Sequence, residues 1–552
     1  MKRSLPLLFL VLGICLMPGQ VLSQRDKKDT AGVGSIDIIS AFKPTLRDPI
    51  KIQFTAATPL PDSSRPKLAY RIPNQELSIS YQPGTLKPLA YQSDSNKGFS
   101  PAQYVKLGYG SLQNPFLSVG LEFGDRSPLR FYGEHQSASG RLSYQDYSVN
   151  SGQLLWQKAD RHQGEWLTAV SVDRQVYYKY GFDRSRPQPI LDSLRQVFHQ
   201  FGFQLAYRGK SPARTGWVLA PVLDWKINAD GFGNRDMNAQ LFVPIEYTFH
   251  DRISLHLNGL VHWGRIRPEG KATFDQSVYS LHSSLRFDWP KWGLHAGFRP
   301  SWDAAGVHLY PDVQFFWRRS EKPWLFRIQW TGELARTGYC ELYTVNPWLW
   351  MPDQWRNTGR IDRSLLGQYN RRAHWVYEIQ LGYATLQNAF LFVNDTSTTG
   401  DGRSFRTLYA DRIQNLYAKG KLTYREADRW LVRAEAGWNN YHGIRGAEKP
   451  WGLLPFEWNL HAMHRFQNRL RVQADLYSWF APYFLSKSGL PSRTDGAFDL
   501  NLGAQMPITK RIQGWLQFNN LFNQLYSRWS QYPSYGFHFV GGVVFSLDKS
   551  IP

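Results

Sequence analysis

The chain has 552 residues, 15% of them aromatic with 22 Trp and 29 Tyr, and a formal net charge of +21. Its two cysteines, Cys15 and Cys340, rule out a disulfide scaffold, and no run of about 18 apolar residues is present to form a transmembrane helix. The basic balance comes without basic runs or a nucleic-acid module, which points away from nucleic acid and toward other polyanions.

Met1, Lys2 and Arg3 precede an apolar run from Leu5 to Met17, and Val21-Leu22-Ser23 offers a cleavage site before Gln24. Residues 1–23 are therefore read as a signal peptide, too short in its apolar part to span a bilayer. Export leaves Cys340 without an intramolecular partner and makes lipopolysaccharide phosphates, acidic glycans or anionic solutes the available polyanions. Residues 24–101 carry Pro44, Pro49, Pro59, Pro61, Pro66, Pro73, Pro83 and Pro88, a density hostile to helix and central strand alike. That segment is expected to be extended, periplasmic or luminal, and not an independent domain.

From Ala102 to Leu547 the pattern is regular. Short charged connections occur at Asp125, Asp160, Gly209, His250, Trp289, Arg319, Asn370, Arg425, Gln467 and Thr509, and longer connections separate them. Ten tight turns alternating with long loops require eleven hairpins, so 22 strands are expected. Leu416, Ala418, Gly420, Leu422 and Tyr424 alternate with Tyr417, Lys419, Lys421, Thr423 and Arg425; Phe326, Ile328 and Trp330 alternate with Arg327, Gln329 and Thr331. A sandwich or propeller would bury one of these faces in a dry core, where unpaired Lys, Arg and Glu are costly. A wide barrel puts lipid outside and water inside, so the expected fold is all-β, a transmembrane antiparallel β-barrel with short periplasmic turns and long extracellular loops. Aromatic girdles at the two interfaces would absorb the Trp and Tyr excess. The longest outer loops are expected at 137–152, 176–192, 336–360, 384–410, 441–454, 481–495 and 520–535. Residues 548–552 form a short tail.

The last strand, Phe537 to Leu547, is apolar on one face and needs a neighbour on each side, which a closed barrel supplies. With the preceding Asn520-Leu521-Phe522-Asn523, Tyr526, Trp529, Tyr532-Pro533 and Gly536, it resembles the C-terminal end of TonB-dependent receptors of bacterial outer membranes. The resemblance implies a 22-stranded barrel in the bacterial outer membrane that passes or binds a substrate. It also implies an N-terminal plug, and here the chain departs from the pattern: residues 24–101 are about half a plug's length and carry no evident coupling box. Residues 24–100, inward-folding outer loops or a partner protein are left as candidates to fill the lumen. Two functions follow: a receptor or transport barrel for an unidentified substrate, or a non-transporting scaffold subunit of an outer-membrane complex.

No catalytic or cofactor motif emerges: there is no HExxH, CxxC, G-x-S-x-G or phosphate loop, so neither an enzyme nor a metal or cofactor protein is expected. His250, His256 and His262 are read as luminal or interfacial polar positions. The ligand-binding candidates lie in the loop Tyr339 to Arg360. Trp348, Trp350 and Trp355, beside Asp353 and Arg356, could stack on a sugar or other flat ligand and hydrogen-bond its rim. The alternative for the same aromatics is packing within the loop or at the membrane interface.

Overall fold

The computed structural model describes residues 103–547 apart from 125–126, 161–163, 186–188, 210–214, 320–322, 372–373, 396–400, 427–428 and 468. The signal peptide, the Pro-rich N-terminal segment and the C-terminal tail expected from the sequence lie outside the described residues.

Apart from two short ribbons, Tyr483–Leu485 with Pro491–Arg493 and Ser527–Trp529 with Tyr532–Pro533, the strands form one antiparallel sheet in chain order, from Tyr104–Gly110 to His538–Ser546. Two of its strands are interrupted. Gly216–Leu219 and Val222–Asp230 both pair with Arg235–His250, separated at Pro221, which has no N–H to give to a ladder. Phe274–Asp275 and Val278–Asp288 both pair with Ile253–Arg267. With each pair counted as one strand the sheet has 22, and it closes on itself because Tyr104–Gly110 pairs with both Asn114–Phe123 and His538–Ser546. Closure removes the free edges.

The seam is tight. Gly108 faces Gly542 across it, and a side chain on Gly542 would run into the Leu107 carbonyl. Trp515, on the penultimate strand, reaches over the seam from inside and donates its indole N–H to that carbonyl at 3.1 Å.

The faces are inverted relative to a water-soluble protein. Ile328, Ile379, Leu381 and Phe298 are more than half exposed on the outside of the wall. Between such positions sit inward-facing polar residues that are nearly inaccessible, among them His282, Ser284, Asp312, Asp362 and Asn415. Only lipid makes the outer face favourable, so the period-two pattern is that of a membrane-spanning wall.

The ten short connections gather at one rim, the periplasmic one, and part of the aromatic excess collects there. Trp289 stacks on Trp292 at 4.1 Å, Trp324 meets Tyr369 at 4.4 Å, Trp375 meets Tyr424 at 4.5 Å and Trp217 meets Tyr247 at 4.5 Å. Rings that are apolar in body and polar at one tip suit the boundary between hydrocarbon and headgroup.

At the opposite rim several strands run further than expected. The 384–410 connection is mostly strand: Trp375–Asp395 spans 21 residues and Ser404–Glu426 spans 23, about twice what crossing a bilayer requires. Likewise Leu129–Ser139 and Asp146–Ala159 take up much of 137–152, and Trp430–Arg445 extends into 441–454. Above the membrane neither face meets lipid, so strict alternation ends while the hydrogen-bonded ladder continues. Phe390, Leu391, Phe392 and Val393 are consecutive apolar residues in such an extension, packed against neighbouring loops.

Candidate functional site

Three loops meet over the outer mouth. One follows Glu165–Tyr178 and carries Tyr180; one follows Trp324–Ala335 and carries Trp348; one follows Ile512–Asn519 and carries Tyr532. Around the ring these loops are eight, eight and six strands apart. With strands about 4.8 Å apart and tilted, their roots are separated by roughly 35 Å. The rings nevertheless touch: Trp348 and Tyr532 at 3.8 Å, Tyr180 and Tyr532 at 4.9 Å, Tyr180 and Trp348 at 5.9 Å. Such contacts require the loops to lean inward across the lumen, and the aromatic cluster forms a cover there. Phe392, Phe405 and Trp529 extend it.

Polar contacts fix each loop. The Tyr180 hydroxyl donates to the Pro533 carbonyl at 2.9 Å, and the Tyr535 hydroxyl to the Gln145 carbonyl at 2.6 Å. Gln145 in turn donates to Pro533 at 3.0 Å. The loop 336–357 is anchored at both ends. At its start Arg336, fully buried, pairs with the equally buried Asp236 at 2.5 Å and donates to the Gln276 carbonyl at 3.0 Å. At its end Asn357 accepts from Gln276 at 2.8 Å and donates to Asp303 at 3.0 Å. A helix of about two turns, Tyr339–Val345, lies between them against the wall. Tyr339 donates to Asp230 at 2.6 Å, Tyr343 to Asn228 at 3.3 Å, and Phe198 stacks on Tyr343 at 4.1 Å.

The sequence-predicted loop residues separate into two groups. Trp348 is inside the cover, with its indole N–H donating to the Tyr178 carbonyl at 3.0 Å. Trp350 and Trp355 are half-buried beside the cluster. Asp353 and Arg356 are exposed and ion-paired, Asp353 with Lys271 and Arg356 with Asp411 at 3.0 Å. The five residues thus do not form one flat platform.

Sequence reasoning missed Lys179. It lies just beyond the strand end at Tyr178, buried, with its ammonium 3.9 Å from the Trp350 ring centre, 5.4 Å from that of Phe232 and no hydrogen-bond partner. Burial, with the Arg403 charge adding to it, pushes its pKa down to about 7, against the pull of Asp230 and Asp395. The stretch Lys179-Tyr180-Gly181-Phe182 carries an aromatic signal, but nothing in it announces the partners, which come from other loops.

No protein-family model and no curated protein matches the chain. Solved structures do match in fold. The FrpB iron transporter of Neisseria meningitidis superposes with a TM-score of 0.64 at 12% identity, over 81% of this chain and 83% of that one. The ferric enterobactin receptor PfeA of Pseudomonas aeruginosa gives 0.61 at 11%, over 80% of each chain. The copper transporter OprC gives 0.57 at 11%, over 81% and 80%. What this chain and those proteins share is the fold, the 22-stranded barrel of TonB-dependent receptors in the bacterial outer membrane.

Proposed function

We propose that the protein is a gated transport barrel of the outer membrane, non-enzymatic, that admits a substrate past its outer loops. The observation that carries this is the meeting of Tyr180, Trp348 and Tyr532 from three sides of the ring. Covering a lumen this wide takes three separately anchored loops, and such a cover regulates passage where a simple scaffold would need none. The likeness in fold to iron, ferric enterobactin and copper transport proteins supports the same reading. The basic surplus favours an anionic solute, and it also suits lipopolysaccharide around the outer rim. Within the cover, the exposed Asp353 and Arg356 and the half-buried Trp350 and Trp355 are the part of the loop that first meets a ligand, while Trp348 holds the loop in place.

The test is solute flux through reconstituted barrels, read by liposome swelling. The full chain should be nearly closed; a W348A/Y532A variant should swell vesicles faster. Absence of flux from that variant even after removal of residues 24–100, together with a stoichiometric protein co-purifying from gently solubilised membranes, would establish the scaffold instead.

A further inference from the structure

Well below the loop cover, three adjacent strands of the wall bring His282, His295 and Asp312 together. Ser284 lies opposite Gly297 and Gly297 opposite Asp312, so the register sets the three side chains side by side on one face. Leu281 and Val313, their sequence neighbours, are exposed outward, which places the cluster on the luminal side. Asp312 Oδ2 lies 2.5 Å from His282 Nε2 and 3.0 Å from His295 Nε2, and the three candidate ligand atoms all lie within 4.8 Å of one another.

His295 and Asp312 form an ordinary hydrogen bond. His282, 3% exposed, turns its Nε2 to the same carboxylate oxygen as a buried ion-pair contact. Its other ring nitrogen is held by the Asn258 amide at 2.9 Å. The amide can present either its N–H or its carbonyl to Nδ1. With the carbonyl presented, Nδ1 carries the proton and Nε2 is left with a lone pair aimed at Asp312 and His295. Imidazole ligands of metals are commonly oriented by such a bond from the far nitrogen.

We propose that His282, His295 and Asp312 form a binding site for a divalent transition-metal ion. Two imidazole nitrogens and one carboxylate oxygen suit Zn2+ and its neighbours such as Co2+ and Cu2+, and leave a further position for water or a passing ligand. Ligand distances of about 2.0–2.2 Å set tetrahedral ligand atoms roughly 3.4 Å apart, so the carboxylate moves off His282 by about 1 Å and the two imidazole nitrogens draw together by up to about 1.4 Å. The site needs only the barrel wall and stands whether or not the barrel transports anything.

The full chain, purified in detergent and stripped with a chelator, is titrated calorimetrically with Zn2+ and spectroscopically with Co2+. One ion per chain is expected, with visible Co2+ bands of a low-coordinate nitrogen–oxygen site. H282Q/H295Q should weaken binding by at least about 100-fold, and N258L by about 10-fold. C340S and H461Q, away from the cluster, should bind as the unaltered chain does. Heat-modifiable migration in gels identifies folded barrels, and D312N serves if the double variant does not fold. The proposal is overturned if the unaltered chain binds neither ion more tightly than about 100 μM, or if the folded H282Q/H295Q or D312N barrel binds with unchanged affinity.

Discussion

The indole of Trp348 lies on the ring of Tyr532, centroids 3.8 Å apart and planes 19° from parallel, although the two residues belong to loops eight strands apart around the barrel. This stack joins opposite sides of the outer mouth. Replacing either ring with alanine removes large buried surface, a loss of about 3–5 kcal/mol where it is felt. It should be felt by the loops, since the wall is held by its own ladder. In W348A and Y532A, trypsin should cleave after Arg356 and Arg528 at least about tenfold faster, while the heat-modifiable barrel band persists. Simultaneous loss of loops and barrel would show that the cover is part of one cooperative unit.

The Arg336–Asp236 pair makes a second, sharper case. Both side chains are fully buried, so R336M leaves the Asp236 carboxylate unpaired, also takes from Glu341 its guanidinium partner at 3.5 Å, and should cost about 3–5 kcal/mol. R336M/D236L removes the buried pair and should recover part of that loss, the remainder reflecting Glu341, which has lost its guanidinium partner. Urea unfolding in lipid vesicles measures both, and equal losses in the single and double variants would show that the pair's geometry, not its charge balance, sustains the loop.

For Lys179 the pH dependence has a definite sign. The unfolded side chain keeps its proton to about pH 10.4, whereas in the folded cover burial lowers the pKa to about 7. Between those values the unfolded loops bind more protons, so the cover gains stability as pH rises from 7 toward 10; below 7 the penalty is present in full. Protease protection of the loops should therefore be greater at pH 9 than at pH 6. K179M should flatten that dependence and protect most at low pH.

Neighbouring positions on one strand test the inside–outside assignment. Ile328 is 57% exposed on the outer face and Gln329 points the other way. Lysine at a lipid-facing midplane position costs about 2–4 kcal/mol, whereas a luminal lysine remains in water. I328K should thus lower stability in vesicles by about that amount and Q329K by under about 1 kcal/mol. Equal effects would contradict the orientation of the wall.

The sequence by itself determined the wall: period-two segments such as 416–425 and 326–331, and charged turns every hairpin, dictate strand number, direction and which face is wet. That information is local, because each residue's face follows from its neighbours in the chain. It faded above the membrane, where Trp375–Asp395 and Ser404–Glu426 continue as strands without lipid to impose alternation. Contacts between distant segments were decided only by the closed ring. Its register aligns His282, His295 and Asp312 across three strands, and its circumference brings the Trp348 and Tyr532 loops face to face. Periodicity states which way a side chain points; it carries no record of what stands opposite once the sheet has curled and closed.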